Sequence, residues 1–380
     1  MKGIINGKII LPEGIIDDHV IIFENKIIDI VHEDEINKEN IEMFDAKGNY
    51  VSPGFINIHI HGSKGFDTMD CDLTAIDNIS ESIIQNGVTS FLPTTMTMDI
   101  KTIYKALDII RESMNSNMKG AKVLGAHLEG PFISPKYKGA QNQEYIKKPS
   151  YDLIKDYIDM IKIITYAPEE DDNFSFLNAI NKHKNVTLSL GHTNSTYETA
   201  MDAIKRGVKH STHMFNAMTP LHHRKPGVVG AVMNSDISAE IIADNIHLHK
   251  SIYGLVSKIK GEDKVVLITD AMRASCLKEG KYDLGGQEVF VKDNSARLSD
   301  GTLAGSVLKM KDAVKNLYNN SELSLYKCVN MASINPAKVI NSSEYRGSLE
   351  KDKYSDIIIF DDNFDIKLAI VEGDVKYENN

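Results

Sequence analysis

The chain has 380 residues, 42% of them hydrophobic and 25% charged, which suits a globular protein with one large domain and a small one. No stretch approaches the roughly 20 apolar residues of a membrane span, and a net charge of −10 argues against a nucleic-acid binder. Cys71, Cys276 and Cys328 form neither a CxxC pair nor a disulfide framework, as expected in a reducing compartment.

The first residues, Met1 to Gly14, mix Ile with Gly and Asn and carry Lys2, Lys8 and Glu13, unlike a secretory leader, so a cytoplasmic location is expected. Residues 1–52 read as short strands with tight turns: Ile4-Ile5, a turn at Asn6-Gly7, Lys8–Ile10, Val20–Phe23 and Lys26–Val31. The tail has the same texture at Asp356–Phe360, Ile366–Val371 and Val375–Tyr377. One small β-sandwich built by both termini, residues 1–52 with 347–380, is therefore expected around a catalytic domain at 53–346.

Across the middle, apolar β-branched runs alternate with amphipathic segments. Strands are expected near Ile56–Ile60, Thr89–Pro93, Val123–Leu128, Ile161–Tyr166, Val186–Leu190, Val208–Thr212, Ala239–Ala243 and Val265–Thr269. Helices are expected at Leu73–Asn86, Ile100–Asn117, Tyr151–Met160, Phe174–His183, Ser195–Arg206 and Lys250–Gly261. Such alternation implies a parallel α/β sheet, and eight strands imply a closed (β/α)8 TIM barrel with its chemistry at the C-terminal strand ends.

Five of these strands end in potential metal ligands or acid/base groups. The first reads PGFINIHIHG, and His59 and His61, two apart on a strand, leave from one face. The third ends AHLEGPF with Glu129, a carboxylate able to bridge two cations; His127 before it reads better as a packed histidine. The fifth ends LSLGHTN with His192, the sixth HSTHMFNAM with His213, and the eighth VVLITDAM with Asp270. Each alone is more often structural, but a barrel would gather them on one rim. His247 and His249 follow the seventh strand, and His247 is favoured for substrate because it comes sooner. From Ala203 to Ser235 there is no Asp or Glu, while Lys205, Arg206, Lys209, Arg224 and Lys225 are joined by four histidines: a basic surface or an anion pocket. Dinucleotide and phosphate-loop glycine motifs and a GxSxG elbow are absent, which leaves hydrolysis by metal-activated water.

These motifs resemble the amidohydrolase superfamily, and within it the branch that deacetylates phosphorylated amino sugars. The marks are HLEGPF at His127–Phe132, LGHT at Leu190–Thr193, THMFNAM at Thr212–Met218, HHRKPG at His222–Gly227, IIADNIH at Ile241–His247, ITDAM at Ile268–Met272 and LAGS at Leu303–Ser306. The resemblance implies hydrolysis of the acetamide of N-acetylglucosamine 6-phosphate. It implies metal ligation by Glu129, His192 and His213, with His59 and His61 holding a second ion bridged by Glu129. One or two divalent ions per subunit fit, whether Zn, Fe, Mn or Co. Asp270 is then the general base and afterwards the acid. Asn216, Ala217, Ala140, Leu303 and Ala304 would contact substrate, and His247 would bond the sugar or its phosphate. Arg224 would grip the 6-phosphate, reaching from the neighbouring subunit of a homodimer, with His223 a weaker candidate beside it. Gln141 stands where some relatives carry a His; it can hydrogen-bond substrate but cannot become cationic.

Two other readings compete. One keeps the fold with another substrate, a cyclic amide or N-acetylgalactosamine 6-phosphate. The other is a non-catalytic barrel scaffold, which the full set of candidate ligands disfavours.

Overall fold

The computed structural model describes residues 1–36 and 41–379. Eight main parallel strands occupy the middle of the described chain: β1 (Phe55–Ile60), β2 (Val88–Pro93), β3 (Ala126–Glu129), β4 (Ile161–Tyr166), β5 (Thr187–Leu190), β6 (His210–Ser211), β7 (Ser238–Ile242) and β8 (Val265–Ile268), with a two-residue strand at Lys122–Val123 pairing parallel with β2 just before β3. Each falls within or across an expected run. β1 pairs with β2, and β3 to β8 pair in chain order. Isolated parallel bridges join Thr94, just past β2, to His127 of β3, and Ile60 of β1 to Ala271, just past β8. The parallel sheet thus curls until its first strand lies beside its last. All residues of β1, β2 and β8 are buried, as expected for parallel strands covered on both faces.

The amphipathic segments become covering helices. Leu73–Ile84 starts where the Asp72 side chain accepts from Thr74 N, and it buries Ala75, Ile76, Ile79 and Ile83 at helical spacing. Ile100–Asn115 is capped by Asp99 and Tyr197–Arg206 by Thr196. Ser175–Ile180 and Ser251–Lys260 fall within their expected spans.

One expected helix does not form. Tyr151–Met160 breaks into two short 3-10 turns, Tyr151–Leu153 and Lys155–Tyr157. Its carbonyls are taken by side chains from the preceding helix: Tyr104 Oη donates to Leu153 O at 2.8 Å and Arg111 Nη2 to Asp156 O at 2.8 Å. Groups that would continue a helical ladder are thus spent on tertiary bonds.

Beyond β8 the chain makes an antiparallel three-stranded sheet, Gly280–Leu284, Gln287–Lys292 and Ser295–Leu298, then helices Met310–Asn320, Leu325–Ala332 and Ile334–Val339. The small sheet shares an apolar cluster with Met96, Ala140, Met272 and Ala304 at the strand ends.

The two termini meet. Ile27–His32, His19–Phe23, Lys2–Ile5 and Glu42–Asp45 form one sheet, and Lys8–Leu11, Gly14–Ile16, Tyr50–Pro53, Ile357–Phe360, Ile366–Val371 and Asp374–Glu378 another. Ile4, Ile21 and Phe23 from the first pack with Ile9, Val51, Ile357 and Ile370 from the second in one core. Among the described residues no helix is long and apolar enough to cross a membrane.

Candidate active site

The C-terminal ends of five strands converge. His59 is the penultimate residue of β1, His61 follows it, and Glu129 closes β3. His192, His213 and Asp270 each lie two residues past the end of β5, β6 or β8. All three have left-handed backbone, with φ of 48°, 26° and 49°. Such conformations cost a non-glycine residue about 1–3 kcal/mol and concentrate at functional sites. Here they turn each side chain inward as the strand stops. Gly191 lets β5 make its turn, since a Cβ there would stand 2.7 Å from side-chain atoms of both Thr165 and Thr212.

Glu129 is the centre. Its Oε1 lies 3.3 Å from His59 Nε2, 3.2 Å from His192 Nε2 and 3.0 Å from His213 Nε2. Its Oε2 lies 3.2 Å from His61 Nε2. Asp270 Oδ1 is 3.2 Å from His61 Nε2 and 3.5 Å from His59 Nε2. Four imidazole Nε2 atoms thus face two carboxylates inside the protein.

What holds the rings fixes which nitrogen faces inward. His61 Nδ1 is 3.2 Å from Thr94 O, and His192 Nδ1 is 3.1 Å from Tyr137 O. His59 Nδ1 lies 2.9 Å from the Glu240 carboxylate. A carbonyl or carboxylate can only accept, so each of these Nδ1 atoms donates, and Nε2 is the nitrogen whose lone pair a cation would take in place of a proton.

Two groups, His59–His61–Glu129 and Glu129–His192–His213, each place their ligand atoms within 4.8 Å of one another. His59 Nε2 is buried without a hydrogen-bond partner among the described residues. The electrostatics ask for positive charge. Burial works against charging His59, yet Glu129, Asp270 and Glu240 hold its ring protonated well above the ordinary histidine range. Burial likewise opposes charge on His61, but Asp270 and Glu129 push it up to about 9. Burial would raise the Glu129 carboxyl, but His59 and His192 hold it well below its usual range. Inward-facing nitrogens and carboxylates that gather protons in this way fit a divalent cation.

A third grouping, His59–His127–Glu240, has the spacing but not the free atoms. His127 Nδ1 is 3.0 Å from Ile58 O and its Nε2 2.8 Å from Thr165 Oγ1. Burial, then the neighbouring His59, pushes its pKa down to about 3, so it is a neutral, packed ring.

The ligand cluster floors a cavity of about 180 Å³. His61, Glu129, His192, His213 and Asp270 line it with Ala140, Gln141, Asn216, Ala217, His247 and Leu303. Ala304 is buried in the apolar cluster behind it. His247 is fixed by Asp244, whose Oδ2 lies 2.7 Å from its Nδ1, which leaves Nε2 for a ligand. His249 instead contacts Ser251 Oγ at 2.8 Å. Gln141 is turned to the ligands, with its Nε2 donating to Glu129 Oε2 at 2.9 Å. Arg224 is not in this cavity. It lines a second one with Lys136, Tyr137, His222 and Lys225, and His223 is exposed beside it. Residues 136–141 run between the two cavities, Lys136 and Tyr137 facing one and Gly139 to Gln141 the other.

Sequence reading missed Glu240 and Asp244. Glu240 carried a usable signal, as a lone acid inside the apolar run of β7.

A curled parallel sheet whose strand ends present HxH, a Glu, two further His and an Asp defines a metal-dependent hydrolase architecture. The amidohydrolase family description matches residues 50–376, and the chain belongs to that family. Within it, N-acetylglucosamine-6-phosphate deacetylase of Bacillus subtilis (strain 168) is 41% identical over 333 residues, 86% of this chain and 84% of that one. N-acetylgalactosamine-6-phosphate deacetylase of Escherichia coli O157:H7 is 30% identical over 371 residues, 96% of this chain and 97% of that one. The crystal structure of N-acetylglucosamine-6-phosphate deacetylase from Pasteurella multocida superposes with a TM-score of 0.93 at 31% identity, covering 100% of each chain.

Proposed function

We propose that this chain hydrolyses the acetamide of N-acetylglucosamine 6-phosphate, releasing glucosamine 6-phosphate and acetate. The observation that carries the reading is the convergence of Asp270 with His61, Glu129, His192 and His213 on one cavity wall, with His59 buried directly behind it. Relatives with this activity match along most of the chain. We read the curled sheet as a closed (β/α)8 barrel at 53–346 and the paired terminal sheets as a β-sandwich of 1–52 with 347–380.

Glu129, His192 and His213 would hold one divalent cation, and His59, His61 and Glu129 a second. A cation held there supplies Lewis-acid polarisation of water and of the acetyl carbonyl. Asp270 accepts the proton of the attacking water and returns it to the amine nitrogen, a poor leaving group until protonated. Burial would raise the Asp270 carboxyl, but His59 and His61 keep it low and ready to accept. His247 Nε2 bonds the sugar or its phosphate, and Asn216 and Ala217 shape the substrate wall. Arg224 binds the 6-phosphate in a neighbouring subunit's site, since in its own chain it lines the adjoining basic cavity.

The test is acetate release by metal-loaded protein from the phosphorylated sugar, with free N-acetylglucosamine and Asp270→Asn as controls. Rapid release from the phosphorylated sugar alone, lost in the variant, is expected. No release from either sugar with metal bound would overturn the reading. The likeness to the Escherichia coli enzyme named for the galactosamine epimer makes N-acetylgalactosamine 6-phosphate the necessary third substrate; a higher kcat/KM on it would reassign specificity and leave the chemistry unchanged.

A further inference from the structure

Glu240 is an acid fully buried in the middle of β7, with no solvent and no substrate to justify its charge. Burying a carboxylate is costly unless donors surround it. Three do. Oε2 lies 2.9 Å from His59 Nδ1 and accepts from His213 N at 3.0 Å, while Oε1 lies 3.2 Å from His210 Nε2. His210 is itself held, its Nδ1 2.7 Å from Ser238 Oγ. Glu240 is therefore shared between a side chain of one ligand group and the backbone of the other.

We propose that Glu240 is a positioning residue for the metal centre: it fixes His59 as an Nε2 ligand and locks the His59–His61 pair to His213. This rests on the reading that His59, His61 and Glu129 hold a cation. Without an acceptor at Nδ1, His59 is free to place its proton on Nε2, where it would block ligation. Without the bond to His213 N, the left-handed turn that aims this ring would lose a tie. Carboxylate partners of ligating imidazoles are worth about 10–100-fold in metal affinity.

Substitutions separate charge from contact. In Glu240→Gln the amide oxygen can accept from both His59 Nδ1 and His213 N, and the amide nitrogen can donate to His210 Nε2 once the His210 proton moves to Nδ1, facing Ser238. This variant keeps the geometry and removes only the charge. Glu240→Val keeps a strand-compatible side chain and removes every contact.

Full-length protein loaded with Co(II) is dialysed against a graded weak chelator, with bound cobalt counted and its visible spectrum followed. In Glu240→Val the ion on His59, His61 and Glu129 is expected to leave at about 10–100-fold lower chelator than in the parent, with an altered spectrum, while the ion on Glu129, His192 and His213, which loses only one backbone tie at His213, leaves later. Glu240→Gln is expected to hold both ions closer to the parent's affinity. Parent-like retention of both ions by folded Glu240→Val overturns the proposal. So does equal loss of both ions in Glu240→Val and Glu240→Gln together with a collapse in Tm, which would mark a merely structural acid. Should Glu240→Val not fold, Glu240→Asp draws the carboxylate back by one methylene and must weaken retention; unchanged retention overturns the proposal equally. His59→Ala is the control: if it loses no cobalt, the His59–His61 group holds no ion and the proposal falls with it, while acetate release by the parent still decides the proposed activity.

Discussion

Gln141 and Glu129 are joined by a hydrogen bond of 2.9 Å from the amide nitrogen to Oε2. The amide cannot flip, because its oxygen accepts from Thr97 N at 2.6 Å. From sequence this glutamine was expected to contact substrate, yet its polar atoms are engaged with the carboxylate proposed to bridge the ions. In Gln141→Ala, Glu129 would lose a donor that orients it. Metal affinity is expected to fall about 10–100-fold, with KM close to the parent's once metal is saturating. Chelator titration and steady-state kinetics check this. Unchanged metal retention with a raised KM would return Gln141 to a substrate role.

Arg224 lines the basic cavity beyond residues 136–141, away from Asp270. If it grips phosphate in the neighbouring subunit, Arg224→Ala should lower kcat/KM on the phosphorylated sugar by about 10–100-fold, the worth of about 1.5–3 kcal/mol for charged hydrogen bonds. Hydrolysis of the unphosphorylated sugar should not change. Mixing Arg224→Ala with Asp270→Asn protein should then restore activity, since a mixed dimer pairs one intact Asp270 with one intact Arg224. No restoration, under conditions where subunits exchange, would place Arg224 with its own chain's substrate.

Much of this site is legible in the sequence because backbone period and strand ends set it. His59 and His61 share a face by alternation, and Glu129, His192, His213 and Asp270 stand where apolar runs stop. What joins them is tertiary and leaves little local trace. Asp244 looks like a loop acid until its bond to His247 is seen. Gln141 gives no sign in the sequence of its bonds to Thr97 N and Glu129. The segment at 151–160 has a helical apolar pattern, but Tyr104 and Arg111, some 45 residues earlier, take its carbonyls. The Gly280–Leu298 sheet went unread because its strands are short and half exposed.

Asp67 supplies a pH dependence. Burial pushes its carboxyl up to about 6, and the Arg273 guanidinium 4.0 Å away only partly offsets this. One oxygen accepts from Met69 N, while Oδ2, the atom nearest Arg273, has no hydrogen-bond partner among the described residues. The folded pKa exceeds the unfolded value of about 3.9, so the native state binds more protons between pH 4 and 6. Stability from this group is fully present below pH 4 and is lost as pH rises through 6. Urea unfolding in a chelating buffer should show a parent stability that declines over this window relative to Asp67→Asn. Parallel curves for the two would contradict the assignment.

Arg346 ties the last helices to the terminal sheets. It is buried; Nη1 pairs with Asp356 and Nη2 with Glu372, and the guanidinium lies 4.3 Å over the Tyr354 ring. Asp356 directly precedes Ile357–Phe360 and Glu372 follows Ile366–Val371, so one side chain clamps two neighbouring strands. Asp356 also accepts from Glu372 N at 2.9 Å, which closes the network. Arg346→Met keeps much of the apolar stem but strands Asp356 without its cation. Breaking a buried pair from one side costs about 3–5 kcal/mol, so a clear fall in Tm is expected. None of these groups lines the catalytic cavity, so kcat/KM below the transition should match the parent. Arg346→Met with Asp356→Asn should recover part of the loss, because the amide leaves no buried charge. If the double variant is as unstable as the single one, packing of the guanidinium on Tyr354, rather than its charge, holds this corner of the fold.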